Sequence, residues 1–354
     1  MSTFYSKIVL TAAMLLASSC AATLPEDLPP DIKWPMPPAR TRVQFVDYIM
    51  GSRDVMADEG SRGKALVFGD QEEILFTKPT FPYYKNGTLY VSDYEMVKIF
   101  DFDNHKFSMV GRGILRNATG LAVLSDGTIF IGDSVLKCVF KMPPGAKEPV
   151  RITRPGDFYT VGGMDVNEEK GIIYVADPKG HDIKAMDLEG NQKFVIGYRG
   201  KDAGEFNYPY DVKVGLGGRI YVSDAGNFRV QIFDGEGTFL GKFGSIGMKY
   251  GSFARPKGLA LDRDGNIYII DSRFGNFQIF NQRGQLLLAV GVNGSDPGMH
   301  LLPVGIYIND KDRIFVTEQG NKRVQIYKYF SYDDEKKIPP PPLRPKPVQG
   351  DPST

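Results

Sequence analysis

The stretch Pro256-Lys-Gly-Leu-Ala-Leu-Asp-Arg-Asp-Gly-Asn-Ile-Tyr-Ile-Ile-Asp271 decides the fold. A short apolar strand runs into an Asp/Gly turn, and a second strand of β-branched and aromatic residues ends in an acid. The same anchors recur on both sides without a gap. Pro209, Pro256 and Pro303 stand 47 residues apart, as do Asp224, Asp271 and Glu318, and Ile232, Ile279 and Ile326. A third strand follows (Val230 to Phe233), then a turn at Asp234-Gly-Glu-Gly237 and a fourth strand (Thr238 to Phe243). Each unit is therefore expected to be one antiparallel sheet of four strands.

The ending of the second strand recurs upstream as Tyr90-Val-Ser-Asp93, Phe130-Ile-Gly-Asp133 and Tyr174-Val-Ala-Asp177. The six terminal acids Asp93, Asp133, Asp177, Asp224, Asp271 and Glu318 are separated by 40, 44, 47, 47 and 47 residues. Six four-stranded units of this length predict an all-β, six-bladed propeller, in which radial packing leaves only short edges. Hairpin turns inside each unit exclude a β-solenoid. The sixth unit has three strands and no fourth, whereas Arg42-Val-Gln-Phe-Val-Asp-Tyr-Ile49 is strand-like and unassigned. That segment is expected to close the ring as the outermost strand of the last blade.

At Pro209-Tyr-Asp-Val and Gly218-Arg-Ile-Tyr-Val-Ser-Asp-Ala-Gly-Asn-Phe-Arg-Val-Gln-Ile-Phe-Asp234 the chain resembles the NHL repeat family, and Gly320-Asn-Lys-Arg-Val-Gln-Ile326 repeats the same core. The resemblance covers roughly residues 40–330 and is strongest in the last three units. Trp34-Pro-Met-Pro-Pro38 followed by Arg42-Val-Gln-Phe-Val46 is similar to the leader of bacterial envelope NHL lipoproteins. Some relatives of that kind are encoded beside multihaem cytochromes. The resemblance thus implies an envelope protein partner, with a cytochrome-containing or secretion assembly as a candidate.

The N-terminus fits that setting. Lys7 precedes a short apolar stretch from Ile8 to Ala17, which suits a signal-peptide core better than a bilayer span. Ala17-Ser-Ser-Cys20 resembles a bacterial lipoprotein lipobox, making Cys20 the lipidation residue, although the usual Leu is replaced by Ala17. By resemblance to enterobacterial sorting, Ala21 after the cysteine directs the protein to the outer membrane. Thirteen of the 24 prolines lie outside residues 39–338. The expected organisation is a signal peptide over 1–19, a proline-rich tether over 20–40, the propeller over 41–332 and a proline-rich disordered tail over 333–354.

The 354-residue chain has 43 Lys plus Arg against 42 Asp plus Glu, and removal of Lys7 with the leader leaves 42 of each. Such a balance gives little non-specific attraction for phosphates, so no nucleic-acid partner is expected. The 42% apolar content fits a packed core. Two cysteines, Cys20 and Cys138, without a C-x-x-C pair exclude the usual spacings of haem, zinc and thiol-redox motifs. Cys138 reads as a small buried residue within a strand.

Candidate chemistry is sparse. Asp224/Arg229 and Glu318/Arg323 lie five apart across a short turn and are expected to form structural ion pairs. Asp182 and Asn276 break that pattern. Asp177 and Asp182 together are the only weak candidates for a cation site, with solvated surface acids as the alternative. Asp262-Arg-Asp-Gly-Asn266 has its Gly two positions too early for a calcium loop, and Arg273 stands where the closing Glu would be. It reads as a hairpin turn.

Metal-dependent lyases sharing this repeat gather several histidines on one ion. Here His181 and His300 fall in loops at one end of the propeller and His105 at the other, so they cannot converge, and each reads as a surface or turn residue. The loops joining successive blades carry the candidate binding face Tyr208, Tyr210, Asp211, Phe253, Arg255, Lys257 and Phe274. The alternative for its aromatics is packing between blades. Asp211 replaces Gly258 and Gly305 of the next two units and is the first ligand-contact candidate at the channel entrance. The expected function is a lipid-anchored, cell-envelope protein-binding or scaffold module without a cofactor. The alternative is a calcium-dependent propeller hydrolase or lactonase with its site in the central channel.

Overall fold

The computed structural model describes residues 30–36, 39–56 and 73–331; the expected signal peptide, Cys20 and the C-terminal tail lie outside them. The prolines and acids that set the 47-residue period meet in space. Pro209 pairs with Asp224, Pro256 with Asp271 and Pro303 with Glu318, each where the first strand of a blade meets the second. Divergent units keep this register, with Pro79 opposite Asp93 and Ala118 opposite Asp133. In five of the six blades the pairing slips just after this first pair.

The result is six antiparallel blades in a ring. The innermost strands are Pro79–Lys85, Ala118–Val123, Met164–Asn167, Pro209–Val214, Pro256–Leu261 and Pro303–Ile308. Successive sheets pack face to face around them, and their buried faces form the core between blades. Val43–Ile49 pairs with Arg323–Tyr329, so a strand from the beginning of the chain closes the last blade. Lys33–Trp34 adds a fifth strand to that blade, within the segment expected to be a tether. Trp34 packs edge-on against Tyr327 at 5.8 Å, an anchoring contact that a proline-rich reading of the segment obscures.

The acid ending each second strand has a common task. Asp133 accepts the N–H groups of Arg116 and Asn117, Asp177 those of Tyr159 and Thr160, and Asp271 those of Ala254 and Arg255. In every case these donors lie in the connection entering the same blade. Without the carboxylate they would be unsatisfied next to the core, which explains why the acid recurs even where the rest of the repeat diverges.

Two ends result from this topology. The second-to-third turns and the blade-to-blade connections share one end, and the other carries the first-to-second and third-to-fourth turns. Among the described residues no helix is long and apolar enough to cross a membrane.

Candidate functional site

The expected binding face divides on inspection. Tyr208 is half exposed and set edge-on to His181, and Arg255 is exposed. Phe274 is only partly exposed. Phe253 is not part of a surface: it is fully buried against Phe280, so the packing alternative describes it. Tyr210 lies beneath Lys257, whose Nζ is 4.2 Å from the ring centre. Burial, with Arg255 and Lys78 nearby, lowers the Lys257 pKa to about 8.

Asp211 is not at an open entrance. It is completely buried, receives Lys213 Nζ at 2.7 Å and the Val212 N–H at 2.9 Å, and takes the Leu259 N–H at 3.0 Å. Desolvation raises its pKa against the pull of Lys213. Its place in the repeat explains this burial. The equivalent positions in other blades include Gly163, Gly258 and Gly305, where inner strands crowd the axis: a Cβ on Gly305 would lie 2.1 Å from the Thr80 carbonyl. At this level Asp211 and Phe81 fill the space that the glycines leave, with Lys213 Nζ 5.6 Å from the Phe81 ring. Together they stopper the channel.

Asp177 and Asp182 do face each other across paired strands. Lys184 occupies the position between them, at 3.0 Å from Asp182 and 3.9 Å from Asp177. The pair is thus already served by a cation of the chain itself, supplied two residues beyond the place where the repeat puts Arg229. Among the described residues no group of three or more His, Cys, Asp or Glu side chains could hold a metal ion.

Asp224–Arg229 and Glu318–Arg323 are ion pairs of 2.8 and 3.0 Å, buried at both partners. Arg229 also donates to the carbonyls of Lys201, Asp202 and Glu205, so it ties the turn to the neighbouring blade connection. In the first blade Met96 takes the Arg229 place, and the cation is Lys98, 2.6 Å from Asp93 and opposite Val91 as Lys184 is opposite Val175. Cys138 takes the Arg229 place in the second, where burial pushes its thiol up to about 11. Two of the histidines are built into the fold: His300 is fully buried among Gln325, Tyr327 and Glu318, and is not a surface residue. His181 is buried too and accepts the Tyr208 N–H, while His105 is exposed at the opposite end.

A concavity lies below the stopper, at the end opposite the expected face. It is a cavity of about 800 Å³ whose inner lining includes Tyr83, Asp165, Lys213, Ala260 and Tyr307. These are one register position of the inner strands: Asp165, Lys213, Ala260 and Tyr307 succeed one another around the ring. Small Ala260 leaves room and the Tyr83 and Tyr307 rings, 4.7 Å apart, form one wall. Burial and the nearby Asp165 and Glu168 charges raise both tyrosine pKa values. Asp165 is itself raised by desolvation, although Lys213 and the Val214 N–H favour its ionised form.

At the rim Lys85 pairs with Glu168 at 2.6 Å, and the Asn309 Oδ1 accepts the Lys311 and Arg313 N–H groups while its Nδ2 is buried. The lining contains no His, Ser or Cys. It offers oriented carboxylates, ammonium groups, amides and aromatic faces, a set suited to holding a polar ligand. Sequence reading missed this site, but a signal existed. Lys213, Ala260 and Tyr307 are 47 residues apart and chemically unrelated, which marks a position released from the repeat.

The fold and this geometry define a β-propeller with one stoppered channel. Residues 206–233 match the NHL repeat, and the chain folds as a six-bladed propeller. No curated protein sequence matches it significantly. Among solved structures it is similar to a Bacteroides thetaiotaomicron protein of unknown function, with TM-score 0.61 and 18% identity over 73% of this chain and 71% of that one. It is also similar to an auxiliary nutrient binding protein of that organism, with TM-score 0.58 and 13% identity over 72% and 69%. Virginiamycin B lyase from Staphylococcus aureus gives TM-score 0.51 and 11% identity over 71% and 95%. At these identities the likeness concerns the fold.

Proposed function

We propose that the protein is a lipid-anchored, non-catalytic binding propeller of the bacterial cell envelope, held at the outer membrane through Cys20. It receives a polar ligand, or the projecting side chains of an envelope protein partner, in the cavity at the open end of its channel. The observation that carries this reading is the stoppered cavity of about 800 Å³. Its charges are largely neutralised within the chain, and carboxylate, ammonium and aromatic groups line it. Likeness to a nutrient binding protein is consistent with it.

The test is a ligand screen by thermal shift on the native chain and on Ala260→Phe, which fills the cavity from a buried position. Ligands should raise the melting temperature of the native protein and fail to do so for the variant, whose far-UV circular dichroism is unchanged. Hits that stabilise both proteins equally would place binding elsewhere. The anchor is checked separately: Cys20→Ala should abolish acyl labelling and release the protein from membranes.

A further inference from the structure

A chain with balanced charge need not have balanced faces. From residue 78 to residue 322, the loops at the blade-connecting end expose Lys78, Arg112, Arg116 and Arg154 ahead of blades one to three. Arg199, Lys201, Lys249 and Arg255 follow ahead of blades four and five. The second-to-third turns add Lys137, Lys179, Arg273 and Lys322. Against these twelve cations the same loops expose two carboxylates, Asp202 and Asp296. None of the twelve forms an ion pair with a described residue. The opposite end carries exposed charges of both signs, and several of its cations are paired, as in Lys85–Glu168, Lys170–Glu236 and Arg263–Asp312.

Apolar side chains are segregated in the same direction. The connection into blade five exposes Ile246, Met248 and Tyr250 by 69%, 76% and 61%. Tyr159 and Tyr198 are each 66% exposed in the connections into blades three and four. Between residues 78 and 322 the turns of the other end expose one large apolar side chain, Leu216.

We propose that this end of the propeller lies on an anionic phospholipid surface. Cations attract the headgroups, and the separate Tyr, Met and Ile tips enter the interfacial layer between them. Three observations favour lipid over an acidic protein. The apolar tips sit on three successive blade connections and are highly exposed, an arrangement that a fluid interface accepts without a shaped pocket to receive each side chain. Half of the twelve cations are Lys, a residue depleted in protein interfaces and well suited to headgroups. The described chain begins at Pro30, and Ile32 and Trp34 lie against Gly298, in the connection into blade six at this same end. Nine residues separate Cys20 from Pro30, ten Cα-to-Cα steps or at most about 35 Å of chain.

With this face on the membrane the cavity opens away from it. The inference goes beyond the ligand-binding reading and does not depend on it.

The experiment uses the full chain with Cys20→Ser, which removes any acyl anchor. Its partition is measured by co-sedimentation with vesicles of phosphatidylethanolamine and phosphatidylglycerol, and with vesicles of phosphatidylcholine alone. The expected result is binding to the anionic vesicles only, weakening as salt rises. Lys249→Gln with Arg255→Gln should lower the partition coefficient roughly 30-fold, at about fivefold for each cation near the surface. Met248→Ser with Tyr250→Ser should lower it several-fold, and Arg283→Gln with Lys311→Gln at the other end should leave it unchanged. All six are loop residues, and circular dichroism verifies that each variant is folded.

Equal binding to phosphatidylcholine, equal loss from substitutions at either end, or no vesicle binding would overturn the proposal. Binding to polyglutamate without binding to vesicles would overturn it in favour of an acidic protein partner. Ligand binding in the cavity by thermal shift should be the same in the loop variants, so failure of one reading is distinguishable from failure of the other.

Discussion

Arg229→Met should be among the most destabilising single changes available outside the apolar core. The guanidinium makes a 2.8 Å ion pair with Asp224 and three 2.7 Å hydrogen bonds to the carbonyls of Lys201, Asp202 and Glu205. Methionine keeps much of the apolar length but removes every donor. Asp224, completely buried, then retains the Asn207 N–H at 2.8 Å and the amides of Asn227 and Gln231 at 2.9 and 3.1 Å, but no cation. Removing one partner of a buried pair costs about 3–5 kcal/mol. For a domain of this size that lowers the melting temperature by roughly 10 °C.

Urea denaturation followed by circular dichroism measures the loss. Asp224→Asn in the Arg229→Met background should recover about 1–3 kcal/mol, because the stranded charge is gone while the amide oxygen can still accept the Asn207 N–H. Blade five supports the logic. There Asn276 replaces the arginine, and Asp271 is held by four backbone N–H groups from Ala254, Arg255, Arg273 and Phe274. If Arg229→Met costs less than about 1 kcal/mol, or if the double variant is no more stable than the single one, the pair does not hold the loop as argued.

Two further outcomes depend on pH. Lys257 has a pKa lowered to about 8, so its charge is disfavoured in the fold. Below pH 8 the folded state bears the full penalty, and stability contributed by this group should rise with pH from about 8 to 10.5, where the unfolded chain binds more protons. Lys257→Met should abolish that rise, and competitive acetylation read by mass spectrometry should label Lys257 at a lower pH than exposed lysines. Asp165 has a raised pKa, so its contribution is greatest below its unfolded value and declines as pH rises through the folded one. Asp165→Asn should remove this decline from the pH profile of urea midpoints; an unaltered profile would show that Asp165 is not the group responsible.

The clearest lesson concerns the acids at the ends of the second strands. Their spacing alone located the six blades, because each must satisfy N–H groups in the connection of its own blade, a requirement that survives divergence elsewhere. Closure by Val43–Ile49 was legible for a related reason: a sixth unit lacking one strand leaves an edge that a spare strand must cover. Phe253 and Asp211 were misread because a loop or strand-start position does not reveal depth. Phe253 folds back under its loop onto Phe280, and Asp211 turns into an axis crowded by glycine backbones.

The number of blades, their strand order and the closing strand are all written in the order of residues, since they follow from local periodicity and from backbone hydrogen bonds that must be made. Which side chains meet at the axis, and which end of the ring is open, emerge with the closed fold. Both depend on residues from six blades converging over long sequence separations. The charge tells the same story. A chain of 43 cations and 42 anions is neutral in sequence, but ring closure gathers twelve exposed cations at one end. The alternation of turns along the chain distributes them, and only the closed ring makes them one surface.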